Sequence, residues 1–262
     1  MAAISIRDLC VDFGGAVLAV DHVSLEIPSG QFVAIVGPSG CGKTTILNHL
    51  TGLLPVQQGQ IAIGGEAPRA GSPRVTYTMA RDCLFPWRTA LQNVCFGMEL
   101  RGVPLAEREA LARRELERVG LGRFADAYPK ALSHGMRQRC ALARGFCLES
   151  EVLLMDEPFG ALDAQTKIQL EDLLLQLWGE TRRTVVFITH DLAEAVALAD
   201  RVVVMSARPG RIVADMAIDL PRPRHVRELQ RDPAFLQLYS QVWEQLERGI
   251  RLSETQAEGA MA

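Results

Sequence analysis

Hydrophobic and polar positions change their period several times along this chain. Residues 4–11 and 23–27 alternate apolar with polar, the two-residue period of strands with one buried face. Phe13-Gly14-Gly15 marks a turn after the first, and Pro28-Ser29-Gly30 closes the second. Phe32-Val33-Ala34-Ile35-Val36 is a continuous apolar run, as a strand covered on both faces requires. Residues 44–54 then follow a helical pattern. Residues 105–119 are dense in strong helix formers with opposite charges at i, i+3 and i+4. Residues 133–147 predict a second helix, basic on one side, with Ser133 as its N-cap. The buried-strand signal returns at residues 152–155, followed by helix over 164–178, strand over 185–188, helix over 192–198 and strand over 202–205. Apolar strands alternating with helices predict an α/β fold with a parallel, doubly wound sheet. Residues 84–150 read as a helical insertion into it. Residues 222–251 read as a polar-faced helical tail interrupted at Pro233, and 253–262 as frayed or disordered. No internal repeat is visible.

Composition narrows the picture only a little. With 262 residues, 48% hydrophobic and 23% charged, the chain can bury one large core and is neither disordered nor collagen-like. A net charge of −3 gives no bulk electrostatic reason to expect nucleic acid or an anionic membrane as partner. Apolar runs such as Val202-Val203-Val204-Met205 fall far short of the ~18 residues of a membrane span. The start has neither a basic nor an apolar leader segment, which predicts a chain that stays in the cytoplasm. The six cysteines form no CxxC pair and no zinc-spaced cluster, so they are expected as free, reduced thiols.

The chemistry is concentrated in two segments. Gly37, Pro38, Ser39, Gly40, Cys41, Gly42, Lys43 and Thr44 match the phosphate-loop pattern GxxxxGK[ST], between a buried strand and a helix. Glycines let backbone N–H groups turn inward around phosphates while the helix presents its positive end. Lys43 would reach the β- and γ-phosphates, and the Thr44 hydroxyl would ligate Mg²⁺. Residues 152–155 end in Asp156-Glu157, which a parallel sheet sets at its carboxyl edge beside that loop. Asp156 would hold the Mg²⁺ site and Glu157 would polarise the water attacking the γ-phosphate. Two other pieces read both ways. Ser133 and the Gly135 backbone are a plain N-cap or an anion site. His190, at a strand end, is a structural residue or a catalytic one.

In this order the motifs resemble the ATP-hydrolysing subunit of ABC transporters, over roughly residues 4–250. Leu132-Ser133-His134-Gly135-Met136-Arg137-Gln138 is similar to the family's signature segment, Gly160-Ala161-Leu162-Asp163 to its D-loop, and Thr189-His190-Asp191 to its switch histidine. Phe13 fills the place of the aromatic that stacks on adenine. The resemblance implies a RecA-like phosphate-loop core with an antiparallel β-subdomain (1–83 and 151–220), an inserted helical subdomain (84–150) and a C-terminal helical tail (221–262). It implies ATP and Mg²⁺ as cofactors, with Phe13, residues 37–44 and Thr45 on the nucleotide, Thr44 and Asp156 on the metal, and Glu157 and His190 catalytic. Ser133, His134, Gly135 and Met136 would bind the nucleotide of a second copy, and Asp163 would communicate across that head-to-tail dimer. Two integral membrane permease subunits would be met near residues 84–93, on the cytoplasmic face of the inner membrane. A periplasmic or extracellular binding protein would deliver cargo, and no nucleic acid is implied. Pro86-Trp87-Arg88-Thr89, residues 155–163, Pro209-Gly210-Arg211-Ile212 and residues 220–224 resemble the nitrate, sulfonate and taurine importer group.

Two positions depart from that pattern. Ala80 stands six residues before the Pro86-Trp87 pair, where the family carries a glutamine near Mg²⁺ and the attacking water. Hydrolysis tolerates its loss, or Arg81 or Asp82 shifts into the gap, or Gln92 approaches. His134 replaces the first signature glycine; if it reaches nucleotide, His134→Gly should abolish a pH dependence of ATPase activity near pH ~6.5. Cys41, within the phosphate loop, is expected to be a site where a thiol reagent inactivates and ATP protects.

Overall fold

The computed structural model describes residues 1–15 and 17–261. Its elements begin with β1 (Ile4–Asp12), β2 (Leu18–Ile27), β3 (Phe32–Val36), α1 (Lys43–Leu50), β4 (Gln58–Ile63) and β5 (Val75–Thr78). Next come α2 (Ala90–Leu100), α3 (Leu105–Arg118), α4 (His134–Phe146), β6 (Val152–Asp156) and α5 (Ala164–Thr181). The chain ends with β7 (Thr184–Ile188), α6 (Leu192–Leu198), β8 (Arg201–Met205), β9 (Ile212–Ala217), α7 (Val226–Leu229) and α8 (Pro233–Met261).

The alternating N-terminal segments close an antiparallel sheet in the order β2-β1-β4. The apolar strands β3, β6, β7 and β8 form the centre of a second sheet, β5-β6-β7-β3-β8-β9, in which all neighbours are parallel except β8 and β9. This is the α/β phosphate-loop architecture that the motifs imply. Alternation within the buried strands divides the core between the two faces of the sheet. Phe32, Ala34 and Val36 join Leu153, Met155 and Phe187 on the face covered by α2–α6. Val33 and Ile35 join Leu154, Val186 and Ile188 on the face covered by α1 and the antiparallel sheet. β3 lies between β7 and β8. Its carboxyl end is therefore at the centre of the sheet edge where ligands of such folds bind.

Several expectations are corrected at the ends and edges. The helix after the phosphate loop stops at Leu50, because Gly52 takes a left-handed conformation (φ 74), at a place where a Cβ would fall 2.6 Å from the backbone of Arg69 and Ala70. Pro233 does interrupt the tail: α7 ends at Leu229 and a new helix starts at Pro233. The proline opens α8, at the first helical position where a missing N–H costs nothing. That helix runs to Met261 rather than fraying from Ser253; Ala262 lies outside the described residues. Strands β4, β5 and β9 and helix α2 carried too little apolar periodicity to be read beforehand. The three strands are partly exposed sheet members; in β4, for example, residues 58–60 are exposed and Ile61 and Ile63 buried. Among the described residues no helix is long and apolar enough to cross a membrane.

Candidate nucleotide site

β3 delivers the chain into the glycine-rich loop, and the loop turns on two left-handed residues, Gly40 (φ 77) and Gly42 (φ 95). A side chain at 42 would stand 2.7 Å from Val20 Cγ2 and 2.9 Å from the Ala19 carbonyl, so only glycine fits. Lys43 is buried, and its Nζ donates to the carbonyls of Gly37 (2.8 Å) and Pro38 (3.0 Å). The ammonium is thereby held in the loop instead of reaching into solvent. Thr44 and Thr45 begin α1; Thr44 is exposed, and the Thr45 carbonyl is paired with His49 Nδ1 at 2.8 Å. Pro38 is half-buried, Ser39 exposed, and Phe13 exposed on the turn after β1.

The carboxyl ends of β3 and β6 bring the two motifs together. Thr44 Oγ1 donates to Asp156 Oδ2 at 3.0 Å, across 112 residues of sequence. Tyr77, on neighbouring β5, donates its hydroxyl to the same oxygen at 3.2 Å. Burial raises Asp156 above its ordinary carboxylate value, with the Glu157 charge adding to it and the two hydrogen bonds opposing. Burial, followed by the Asp156 charge, pushes Tyr77 far above the ordinary phenol value. Glu157 turns off the strand in a left-handed conformation (φ 45), with its N–H donating to the Ile188 carbonyl at 2.9 Å. His190 Nδ1 lies 3.0 Å from Glu157 Oε2, so the two residues meet at the mouth of the site.

The other motif residues sit on helix starts. Ser133 caps α4, accepting from the Met136 N–H at 3.3 Å, and Gly135 lies against Thr166 of α5, where a Cβ would come within 2.7 Å of Cγ2. His134 and Met136 are half-buried beside them. Asp163 caps α5, accepting from the Thr166 N–H at 3.0 Å. Thus Gly135 and Asp163 meet at Thr166, with Ser133 at the same helix start, while Thr44 meets Asp156 and Glu157 meets His190 at the sheet edge.

Around Ala80 the alternatives narrow. Ala80 is exposed just past β5. Asp82 is engaged elsewhere, accepting from Arg137 Nε at 3.0 Å and from the Leu84 N–H at 3.1 Å. Gln92 closes a capping box on α2, its side chain accepting from the Thr89 N–H at 3.0 Å. Neither fills the place of the glutamine, and Arg81 is exposed. Cys41 is also corrected: it is fully buried and burial raises its thiol pKa, whereas Cys83 is the exposed thiol. A thiol reagent is therefore expected to modify Cys83 first.

Four residues at the site escaped the sequence reading. Tyr77 is one. Arg208 is another, its Nε donating to the Gly40 carbonyl at 3.2 Å. Gly210 lies directly beneath the loop, where a Cβ would fall 1.9 Å from the Cys41 carbonyl oxygen. Lys167 of α5 ties the D-loop helix to the switch segment, donating to Asp191 Oδ2 at 2.8 Å and lying 3.5 Å from Glu194. Pro209-Gly210-Arg211 was visible as a motif, but its contact with the loop was not.

The family model for ABC transporters matches residues 20–160, a little over half of the chain. The chain belongs to the ABC transporter family. It is 42% identical over 234 residues to the taurine import ATP-binding protein TauB of Rhizobium johnstonii, covering 88% of this chain and 89% of that protein. It is 41% identical over 248 residues to the nitrate import ATP-binding protein NrtD of Synechocystis, covering 93% of each. A putative ATP-binding protein of Brucella abortus is 47% identical over 240 residues, covering 92% of each. Among solved structures, cbiO1 of Clostridium perfringens, part of the ABC transporter complex cbiONQ, shares the fold with a TM-score of 0.73. It is 22% identical and is matched over 89% of this chain and 92% of that one. As a member of this family the ABC ATPase binds ATP and is an ATP-hydrolysing subunit.

The residues at the sheet edge suit both groups that the family implies. The loop of left-handed glycines around a buried ammonium is a phosphate cradle. The Thr44 hydroxyl and Asp156 carboxylate are hard oxygen donors of the kind Mg²⁺ takes.

The segment between Leu84 and Asn93 is rigid for an internal reason. Asn93 is fully buried and donates from Nδ2 to the carbonyls of Phe85 (3.2 Å), Arg88 (3.1 Å) and Thr89 (3.0 Å), while its Oδ1 accepts from the Phe85 N–H at 2.8 Å. Asn93→Ala leaves these backbone groups without their partner, at a cost of about 2 kcal/mol. Thermal unfolding should fall by about 4–8 °C; an unchanged Tm would mean that the turn is held by other contacts.

Proposed function

We propose that this ABC ATPase powers the import of a small anion or related nutrient, such as nitrate, a sulfonate or taurine. The reading is carried by the meeting of Thr44 Oγ1 with Asp156 and of Glu157 with His190 at one sheet edge. It draws its cargo class from the relatives named for taurine and nitrate import.

In this mechanism the backbone N–H groups of residues 37–45 and the Lys43 ammonium hold the β- and γ-phosphates, and Phe13 stacks on adenine. Thr44 and Asp156 would hold Mg²⁺, which supplies charge neutralisation on the phosphate oxygens. Glu157 accepts the proton of the attacking water, and His190, hydrogen-bonded to Oε2, keeps that carboxylate aimed. Ser133, His134, Gly135 and Met136 form the nucleotide contact of a second copy, and Asp163 lies at the junction between copies. Among the described residues these side chains and backbone groups make no hydrogen bond to residues 37–45 of their own chain, which supports a head-to-tail homodimer with two-fold symmetry. Closure of that dimer on ATP and its opening after hydrolysis would be passed to two permease subunits through residues 84–93, where Trp87 is 70% exposed. A substrate-binding protein outside the membrane would supply the cargo.

A second reading, an ABC ATPase that hydrolyses weakly and acts as a regulator, is favoured by Ala80, since neither Asp82 nor Gln92 takes the place of the missing glutamine. One experiment separates the two. The chain is purified by affinity from detergent-solubilised native membranes, and the recovered material is assayed for Mg²⁺-ATPase activity. Import predicts an integral membrane subunit in the eluate with steady turnover. Recovery of this chain alone, with negligible turnover, would favour the regulatory reading.

A further inference from the structure

Strands β1 and β2 slip out of regular register between Ile6 and Asp12. Beside the slips, Asp8 (φ 52) and His22 (φ 49) take left-handed backbone conformations. The irregularity gathers three donors of different chemistry. Cys10 Sγ, a carboxylate oxygen of Asp21 and a ring nitrogen of His22 all lie within 4.8 Å of one another. Cys10 and Asp21 are buried while His22 is exposed, so the cluster opens to solvent on one side. His22 Nδ1 is 2.6 Å from Asp8 Oδ1. In metal sites a carboxylate in that position holds a ligating histidine in one tautomer and one orientation. With Nδ1 paired to Asp8, the other ring nitrogen, Nε2, faces Asp21 Oδ1 at 3.7 Å. The other Asp21 oxygen accepts from Arg211 Nε at 2.7 Å, which leaves Oδ1 to coordinate.

We propose that Cys10, Asp21 and His22 bind one divalent cation of the zinc class, with Asp8 orienting His22. Thiolate, imidazole and carboxylate are the donors Zn²⁺ takes, at about 2.3 Å from sulfur and about 2.0 Å from nitrogen or oxygen. A small rotation of the side chains draws the three to those distances, and water completes the tetrahedron. On binding, the Cys10 thiol proton leaves to solvent and the Sγ–metal bond replaces it. The local charges then balance: the thiolate and the two aspartates oppose the divalent cation and Arg211. The ion would clasp β1 to β2 immediately below the turn bearing Phe13. It would also brace the Asp21 backbone, whose N–H donates to the Gly210 carbonyl beneath the phosphate loop at 3.0 Å.

The test uses the full chain, stripped with chelator and titrated with Co²⁺ in excess Mg²⁺. The expected result is a thiolate-to-cobalt charge-transfer band that saturates at one equivalent and is displaced by Zn²⁺. Cys10→Ser should abolish the band. Asp8→Asn, which keeps all three ligands and tolerates the left-handed backbone, should weaken Co²⁺ by about 10–100-fold. No band in the wild type, a band that survives Cys10→Ser, or equal affinity in Asp8→Asn would overturn the site. Circular dichroism of both variants separates lost coordination from lost folding.

Discussion

Glu157→Gln is expected to bind ATP as tightly as the wild type and to hydrolyse it about 10²–10⁴-fold more slowly. The substitution keeps the shape of the side chain and its position in the left-handed turn after β6, where the backbone N–H is anchored to Ile188. It replaces the carboxylate that would take a proton from water by an amide too weakly basic to do so. The phosphate cradle, Lys43 and the Thr44–Asp156 contact are untouched, so nucleotide affinity is the internal control. Fluorescent-nucleotide titration beside a phosphate-release assay gives both numbers. Near-normal turnover would move the general base to another group, with His190 the first to test. His190→Ala should slow hydrolysis less than Glu157→Gln does, because His190 acts on the reaction through Glu157.

The second large effect is expected at a glycine outside the phosphate-loop motif in sequence. Gly210→Ala would set a methyl 1.9 Å from the Cys41 carbonyl oxygen and 2.9 Å from Met205 Cε. The Met205 side chain can swing away, but the Cys41 carbonyl is backbone. Gly210 also donates its N–H to the Ala19 carbonyl and accepts from Asp21, so the β8–β9 turn is pinned to β2. The phosphate loop must move instead. The expected outcome is a loss of about 3 kcal/mol, seen as a fall in Tm of about 6–12 °C. A loop displaced by such a contact should also lower kcat/KM by about 10²-fold. Gly179→Ala is the matching control: it lies inside α5 with open space around the added methyl, and should raise stability by about 0.5–1 kcal/mol. Wild-type Tm and activity in Gly210→Ala would show that the turn gives way at no cost.

These two residues mark the difference in what could be read beforehand. Glu157 was legible because its signal is contiguous: a buried strand, then two acids, at an edge where a parallel sheet must present them. The phosphate loop was legible for the same reason, since β3, the glycines and α1 occupy one short stretch of chain. Gly210 was not. Its need for glycine comes from the Cys41 carbonyl, which is far away in sequence. Strands β4, β5 and β9 were missed because partly exposed strands carry no long apolar run. For α2 a signal did exist, the Thr89–Gln92 capping box confirmed by both of its hydrogen bonds.

Ala80 shows the same division from another side. The chain alone displays the departure and leaves three groups able to compensate for it. The folded molecule commits Asp82 to Arg137 and Gln92 to the cap of α2. It also brings forward Tyr77, whose hydroxyl bonds Asp156 from the adjacent strand.

By itself, then, the sequence determined the family, the parallel α/β core, the phosphate loop and the acidic pair, because each is encoded by local pattern and spacing. The tertiary structure alone decided which side chains meet. It placed Gly210 beneath the loop, Tyr77 on Asp156, Lys167 between α5 and Asp191, and Cys10 with Asp21 and His22. Those meetings depend on strand order and on register slips between β1 and β2, which are set by the packing of the whole sheet and leave no periodic trace in the chain.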